Sequence, residues 1–287
     1  MLRRPWLLSA LAAALVVLTL LFGQSLGRAA GAPLAGARAL STLISPDATT
    51  LAGDGARIRN PLTNRVELVR AGMPSTAVLI GDSQCAGAAG IPGDHTWPQM
   101  ALTSLGYSVS FHGVPGTGYV AANSRGQDYP DALLSGQWVL PYAGPRAANA
   151  PLVVIEGGGN DAALGATDAQ ITANAQRLVT ELRRTYPASA MVMIGTLGRG
   201  ENFGGGRRSQ VDGLLKGFAA TQRIPFVSVG DWLTRYNVAQ DLADAVHLNE
   251  TGHRILAQVL RNAFITAGIV GPAGQMQAHR ASLIPQP

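Results

Sequence analysis

At 287 residues, 47% hydrophobic, 14% charged and with a single cysteine, the chain is long enough to bury a substantial core, and its composition excludes disorder and a disulfide-built miniprotein. Its net charge of +5, from 22 basic and 17 acidic residues, would ordinarily raise nucleic acid or acidic membranes as partners. Three arginines, Arg3, Arg4 and Arg28, lie in residues 1–30, which hold no acid; the other 19 bases leave a net +2 and form no stripe interleaved with aromatics. No nucleic-acid partner is expected.

In chain order, Arg3 and Arg4 precede an uncharged apolar run from Trp6 to Phe22, followed by small residues that include Ala35-Gly36-Ala37. This pattern predicts export, with residues 1–30 either a cleaved signal peptide or a retained N-terminal membrane anchor. The catalytic domain is then secreted, held in the cell envelope or anchored to the membrane, outside the cytoplasm in each case. Cys85 has no second cysteine to pair with, so export brings no disulfide. One lysine among 22 basic residues, with abundant Ala and Gly, suggests a GC-rich bacterial coding sequence of the actinobacterial kind.

Residues 31–65 show no sustained period and read as a linker or irregular segment that joins the domain edge. From about Thr76, short apolar runs alternate with amphipathic stretches, which predicts an α/β sheet over residues 66–270, followed by a loose tail, 271–287. The expected strands are Ala77–Ile80, Ser108–His112, Leu152–Glu156, Met191–Thr196 and Phe226–Val229. Apolar residues at helical spacing predict helices over Gln170–Tyr186 and Glu250–Thr266, with a weaker one over Ser209–Gln222 that Gly213 and Gly217 interrupt. Five strands with intervening helices imply one three-layer α/β domain.

Ligands of open parallel sheets gather at the carboxyl ends of the strands. After the first expected strand comes Gly81-Asp82-Ser83, where a tight turn can expose a serine hydroxyl as a nucleophile. Gly113-Val114-Pro115-Gly116-Thr117-Gly118 follows the second and Gly157-Gly158-Gly159-Asn160-Asp161 the third, and both can supply donors to a developing oxyanion. Near the end, Asp244 stands three residues before His247, a spacing that lets a carboxylate fix an imidazole tautomer and stabilise its protonated form. Each motif alone is more often an ordinary turn. His95, His112, His253 and His279 lack such an arrangement and read as structural or surface residues. Gly23-Gln24-Ser25-Leu26-Gly27 matches a nucleophile elbow, but no strand precedes it. Neither a phosphate-binding loop nor a zinc pattern is present, and no metal or cofactor is expected.

Taken together and in this order, Gly81-Asp82-Ser83, Gly116, Gly158-Gly159-Asn160-Asp161 and Asp244-Ala245-Val246-His247 resemble the blocks of the SGNH hydrolases, also called the GDSL family, over about residues 76–266. The resemblance implies a flavodoxin-like fold with a five-stranded parallel sheet in the order 2-1-3-4-5. It makes Ser83 the nucleophile, His247 the general base and Asp244 the residue that orients it, with an oxyanion hole from the backbone N–H groups of Ser83 and Gly116 and the side chain of Asn160. Gln84 departs from the leucine of many members, a change of local packing or polarity that leaves the chemistry intact.

Substrate contacts are expected from two loops. The stretch from Thr117 to Ala150 supplies Tyr119, Tyr129, Trp138 and Tyr142, which either line the site or pack the insertion against the domain; Tyr119 and Trp138 are the candidates for substrate contact. The glycine-rich loop after the fourth strand supplies Arg199 and Asn202. The reading is an exported serine esterase, expected as a monomer, acting on short-chain acyl esters, either small molecules or envelope glycans and lipids. Acyl transfer to a sugar hydroxyl and an inactive glycan-binding protein remain the alternatives.

Overall fold

The structure, a computed structural model, describes residues 53–144, 150–269 and 271. The N-terminal apolar run, residues 31–52 of the linker, His279 and all but Gly271 of the tail lie outside them. Among the described residues no helix is long and apolar enough to cross a membrane.

Among the described residues eight strands run in chain order: β1 (Arg57–Arg59), β2 (Val66–Val69), β3 (Thr76–Gly81), β4 (Ser108–Gly113), β5 (Pro141–Tyr142), β6 (Leu152–Glu156), β7 (Met191–Ile194) and β8 (Phe226–Val227). Five of them form a parallel sheet in the order β4-β3-β6-β7-β8, which is 2-1-3-4-5 within that sheet, as expected. Strands β3, β6 and β7 are buried throughout, because a parallel sheet covered on both faces needs apolar side chains on both.

The helices are α1 (Ser83–Ala86), α2 (Trp97–Ser104), α3 (Tyr129–Leu134), α4 (Gly159–Leu164), α5 (Asp168–Thr185), α6 (Gly206–Thr221), α7 (Trp232–Arg235) and α8 (Glu250–Thr266). On one face Val78, Ile80, Val153, Ile155 and Met193 pack against α5 and α6. Their neighbours in sequence, Ala77, Leu79, Val154, Val192 and Ile194, point the other way against α2 and α8. This is the third layer. A reciprocal cap between Thr167 and Gln170 starts α5, and the Asn249 side chain, accepting from the Gly252 N–H at 3.0 Å, starts α8.

Several boundaries differ from the expectation for physical reasons. Strand β8 ends at Val227 rather than Val229, where the Asp212 carboxylate takes hydrogen bonds from the Ser228 hydroxyl and the Val229 N–H. Helix α6 runs without a break past Gly213 and Gly217, since Val211, Leu215, Phe218 and Ala219 bury one face of it in the core. Helices α2 and α3 are too short to show a clear period, and both begin at a proline-containing first turn.

Residues 57–59, within the stretch read as linker, form β1, which pairs antiparallel with β2; β2 in turn pairs parallel with β5. Arg65, between β1 and β2, fastens this small sheet to α5 through a buried ion pair with Glu181 and a hydrogen bond to Thr185 at 2.5 Å. Inside it lies Glu67, whose carboxylate accepts from the Asn60 amide at 2.8 and 2.9 Å and from the Thr63 hydroxyl at 3.2 Å.

Burial pushes the Glu67 carboxyl up from 4.5 to about 7 despite these bonds. The folded chain therefore binds this proton more tightly than the unfolded one. Stability from this group is complete below about 4.5 and is lost as pH rises through about 7, a span worth roughly 3 kcal/mol. Thermal melts of wild type and Glu67→Gln across pH 4–8 should show the variant gaining on wild type as pH rises; parallel curves would contradict this account.

Candidate active site

Strand register sets the positions of the site's loops. Gly81 pairs with Gly113, and Ile80 with Ile155, so β3, β4 and β6 end at nearly one level. A side chain at Gly113 would run into the Gly81 carbonyl, so the two strands stay in contact to their last residues only with glycine there. Gly157 and Gly158 follow β6 with φ of 156° and 105°, and a Cβ on Gly157 would lie 2.9 Å from the Tyr129 ring. The chain thus turns tightly into α4, where Asn160 and Asp161 lie.

At the end of β3, the Asp82 side chain accepts from the Gln84 N–H at 2.8 Å and fixes the turn that carries Ser83. Opposite it, residues 242–248 fold back on themselves through a Leu242–Leu248 bridge and an Ala243 N–H to His247 carbonyl bond of 2.8 Å. Within that loop Asp244 Oδ1 accepts from the N–H groups of Val246 and His247, both at 2.7 Å, and Oδ2 lies 2.7 Å from His247 Nδ1. His247 Nε2 lies 2.9 Å from Ser83 Oγ. The three residues named from sequence therefore form one hydrogen-bonded chain. The contact to the imidazole, followed by the two backbone bonds, holds the Asp244 carboxyl down at about 2, so it is ionised at neutral pH.

Asn160 stands between the two loops that flank Ser83, with Nδ2 2.9 Å from Asp82 Oδ2 and 2.9 Å from the Thr117 carbonyl. Both amide hydrogens are thus engaged, and an oxyanion would share or replace one of these acceptors. The backbone N–H groups of Ser83 and Gly116 donate to no acceptor among the described residues, and Gly116 has a φ of 81°. Asp161 is wholly buried and accepts from the N–H groups of Tyr119, Val120 and Ala121 at 3.0, 2.7 and 2.8 Å. It fixes the path of the loop that carries Gly116.

The substrate contacts expected from Tyr119 and Trp138 are corrected by the structure. Tyr119 and Tyr129 are fully buried and Trp138 nearly so, with Tyr119–Tyr129 ring centroids 5.6 Å apart and Tyr129–Trp138 centroids 6.0 Å apart. The rings pack the insertion onto the sheet, where burying their large apolar area outweighs exposing it to a ligand. Arg199 and Asn202 are exposed on the loop after β7, and their side chains bond to no other described residue.

Four further residues support the site, and of these Arg208 carried no sequence signal. Gln84 is buried, donates to the Val246 carbonyl at 3.2 Å and accepts from Trp97 Nε1 at 3.4 Å, so it ties the nucleophile turn to the histidine loop. Arg208 of α6 lies against Gly159, and its charge opposes the burial that pushes Asp82 up to about 6. His253 accepts the Trp97 N–H at 3.0 Å on Nδ1, and burial lowers its pKa to about 4, which keeps it a neutral acceptor at the start of α2. Its structural role is as expected. Cys85 is buried beneath the turn with its thiol 3.4 Å from Glu156, and burial pushes both groups up.

Residues 79–255 match the GDSL-like lipase/acylhydrolase family. No curated protein matches the chain in sequence. Among solved structures, a family two carbohydrate esterase from Clostridium thermocellum, an active-site mutant, is 16% identical with a TM-score of 0.51, over 66% of this chain and 62% of that one. A carbohydrate esterase family 2 enzyme with a carbohydrate binding domain, from Corynascus thermopiles (Myceliophthora fergusii), is 19% identical with a TM-score of 0.52, over 67% and 66%. The chain thus spans just under two thirds of these two, and the likeness is one of fold. With the matched region covering more than half of its length and the motif residues assembled at the strand ends, the chain belongs to the GDSL-like lipase/acylhydrolase family.

Proposed function

We propose that the protein is an exported serine esterase that cleaves short-chain acyl esters through an acyl-enzyme on Ser83. The observation that carries this reading is the continuous hydrogen-bonded chain from Ser83 Oγ through His247 to Asp244. In the first step Ser83 Oγ attacks the ester carbonyl carbon while its proton passes to His247 Nε2. Asp244 stabilises the imidazolium, and the N–H groups of Ser83 and Gly116 with the Asn160 amide receive the oxyanion. Collapse expels the alcohol, which takes the proton from Nε2. Water then attacks the acyl carbon with His247 again as base, releasing the acid and restoring Ser83.

Water access favours hydrolysis over transfer to a sugar. The side chains of His247 and Asp244 are 23% and 49% exposed, so the site does not shut water away from the acyl-enzyme. A glycan-borne acyl group as substrate draws support from the carbohydrate esterases among the structural neighbours. Placement outside the cytoplasm rests on the basic, then apolar, N-terminal sequence.

On a graded series of nitrophenyl esters, the full chain should turn over the short acyl members and Ser83→Ala should not; equal rates for the two across the series would end the esterase reading. Asn160→Ala should lower kcat about 100- to 1,000-fold. Added sugar acceptors should leave the ratio of acid to transferred product high, and a dominant transfer product would assign an acyltransferase instead. Gln84→Leu, which removes the bonds to both the Val246 carbonyl and Trp97 Nε1, should lower kcat roughly 2- to 10-fold, with KM nearly unchanged. An unchanged kcat with a lower Tm would make Gln84 a packing residue only. Fractionation of the native host should find the protein outside the cytoplasm, its N-terminus by mass spectrometry either beyond Ala30 or intact at Met1 or Leu2; a cytoplasmic chain would refute export.

A further inference from the structure

The edge strand β4 breaks the apolar pattern of the sheet. Parallel pairing sets Ser108 beside Thr76, Ser110 beside Val78 and His112 beside Ile80, so the three β4 side chains share the face on which Val78 and Ile80 are core. Alternate residues on a strand share a face, and a covered face normally carries apolar side chains. Here it carries two hydroxyls and an imidazole. They border a cavity of about 360 Å³ that the small sheet closes from the other side with Leu68 and Pro141, together with Arg70 just past the end of β2. That volume lies at the lower end of the roughly 300–1,000 Å³ typical of small-molecule sites and suits a monosaccharide-sized ligand.

The charges around the cavity are Arg70 and Asp54. Arg70 has no carboxylate within ion-pair distance among the described residues, while Asp54 Oδ1 is engaged by the Ala71 N–H at 2.9 Å. An unpaired guanidinium presents a fork of donors that matches a carboxylate or phosphate. His112 Nε2 lies 3.0 Å from the Ser110 hydroxyl, which leaves Nδ1 for a ligand.

From this arrangement we infer a second binding site, on the flank of the sheet, for a small hydroxyl-rich molecule bearing an oxyanion, with Arg70 holding the anion and Ser108, Ser110 and His112 reading its hydroxyls. The catalytic serine takes no part in it. Burial, followed by the nearby charge of Arg70, lowers the pKa of His112 to about 4, so the imidazole is neutral before the ligand enters. An anion beside Arg70 offsets that charge and raises the value.

The test is titration of the full chain, labelled at histidine ring nitrogens, with glucuronate, glucose 6-phosphate and uncharged glucose. Saturable shifts of the His112 ring signals with one or both anionic sugars are expected, together with a rise in the pKa of His112 and little response to glucose. A response to only one anion identifies its source as a sugar acid or a sugar phosphate. The shifts should persist in Ser83→Ala, which separates this site from the esterase reading. In Arg70→Gln they should need about 10-fold or more ligand, with nitrophenyl ester turnover intact. If that variant fails to fold, the rise in the pKa of His112 in wild type decides. The inference is overturned by no saturable shift up to roughly 10 mM, by an equal response to glucose, by loss of the shifts in Ser83→Ala, or by a folded Arg70→Gln that binds as wild type does.

Discussion

The close approach of two backbones at the ends of β3 and β4 is the constraint on which the site depends. Gly113 faces the Gly81 carbonyl with no room for a side chain, so the strands remain paired until the chain turns away. Because β6 is in register with β3 on the other side, the turns after all three strands leave the sheet at one edge. Ser83, Gly116 and Asn160 meet there although they come from separate crossovers of a parallel sheet.

Buried carboxylates then convert that meeting of loops into a fixed geometry. Asp82 holds the serine turn and the Asn160 amide, while Asp161 gathers three successive backbone N–H groups from the neighbouring loop. Each loop is irregular backbone whose donors must be satisfied away from water, and a carboxylate can satisfy several at once. Burial raises the pKa of Asp82 to about 6, with the Gln84 N–H and then Arg208 opposing that rise. Burial thus works against ionisation of Asp82 inside the site, whereas Asp244, at the surface, is held firmly ionised by its bonds to the histidine loop.

Much of the fold was legible because its signals are local. All five strands of the parallel sheet and the helices α5, α6 and α8 follow from apolar runs and helical spacing, and Glu250–Thr266 has the expected bounds. The small sheet was not legible, since β1 and β5 are three and two residues long and gain their stability from partners distant in the chain. The aromatic residues of the insertion illustrate a different limit. Tyr119 and Trp138 suit a sugar platform or a core equally well by composition, and only their packing on Tyr129 places them in the core.

The sequence by itself determined the family and the order of its motifs, because Gly81-Asp82-Ser83, the glycine turns, Asn160-Asp161 and the spacing of Asp244 from His247 are contiguous patterns. Tertiary structure alone decided how those pieces act together. The 2.9 Å contact of Ser83 with His247 joins residues 164 apart, Arg208 reaches the site from a position with no motif, Gln84 bonds to a carbonyl 162 residues away, and the polar face of β4 acquires meaning only beside a small sheet that closes over it. Contacts across such separations depend on strand register and helix packing, which no local pattern of residues encodes.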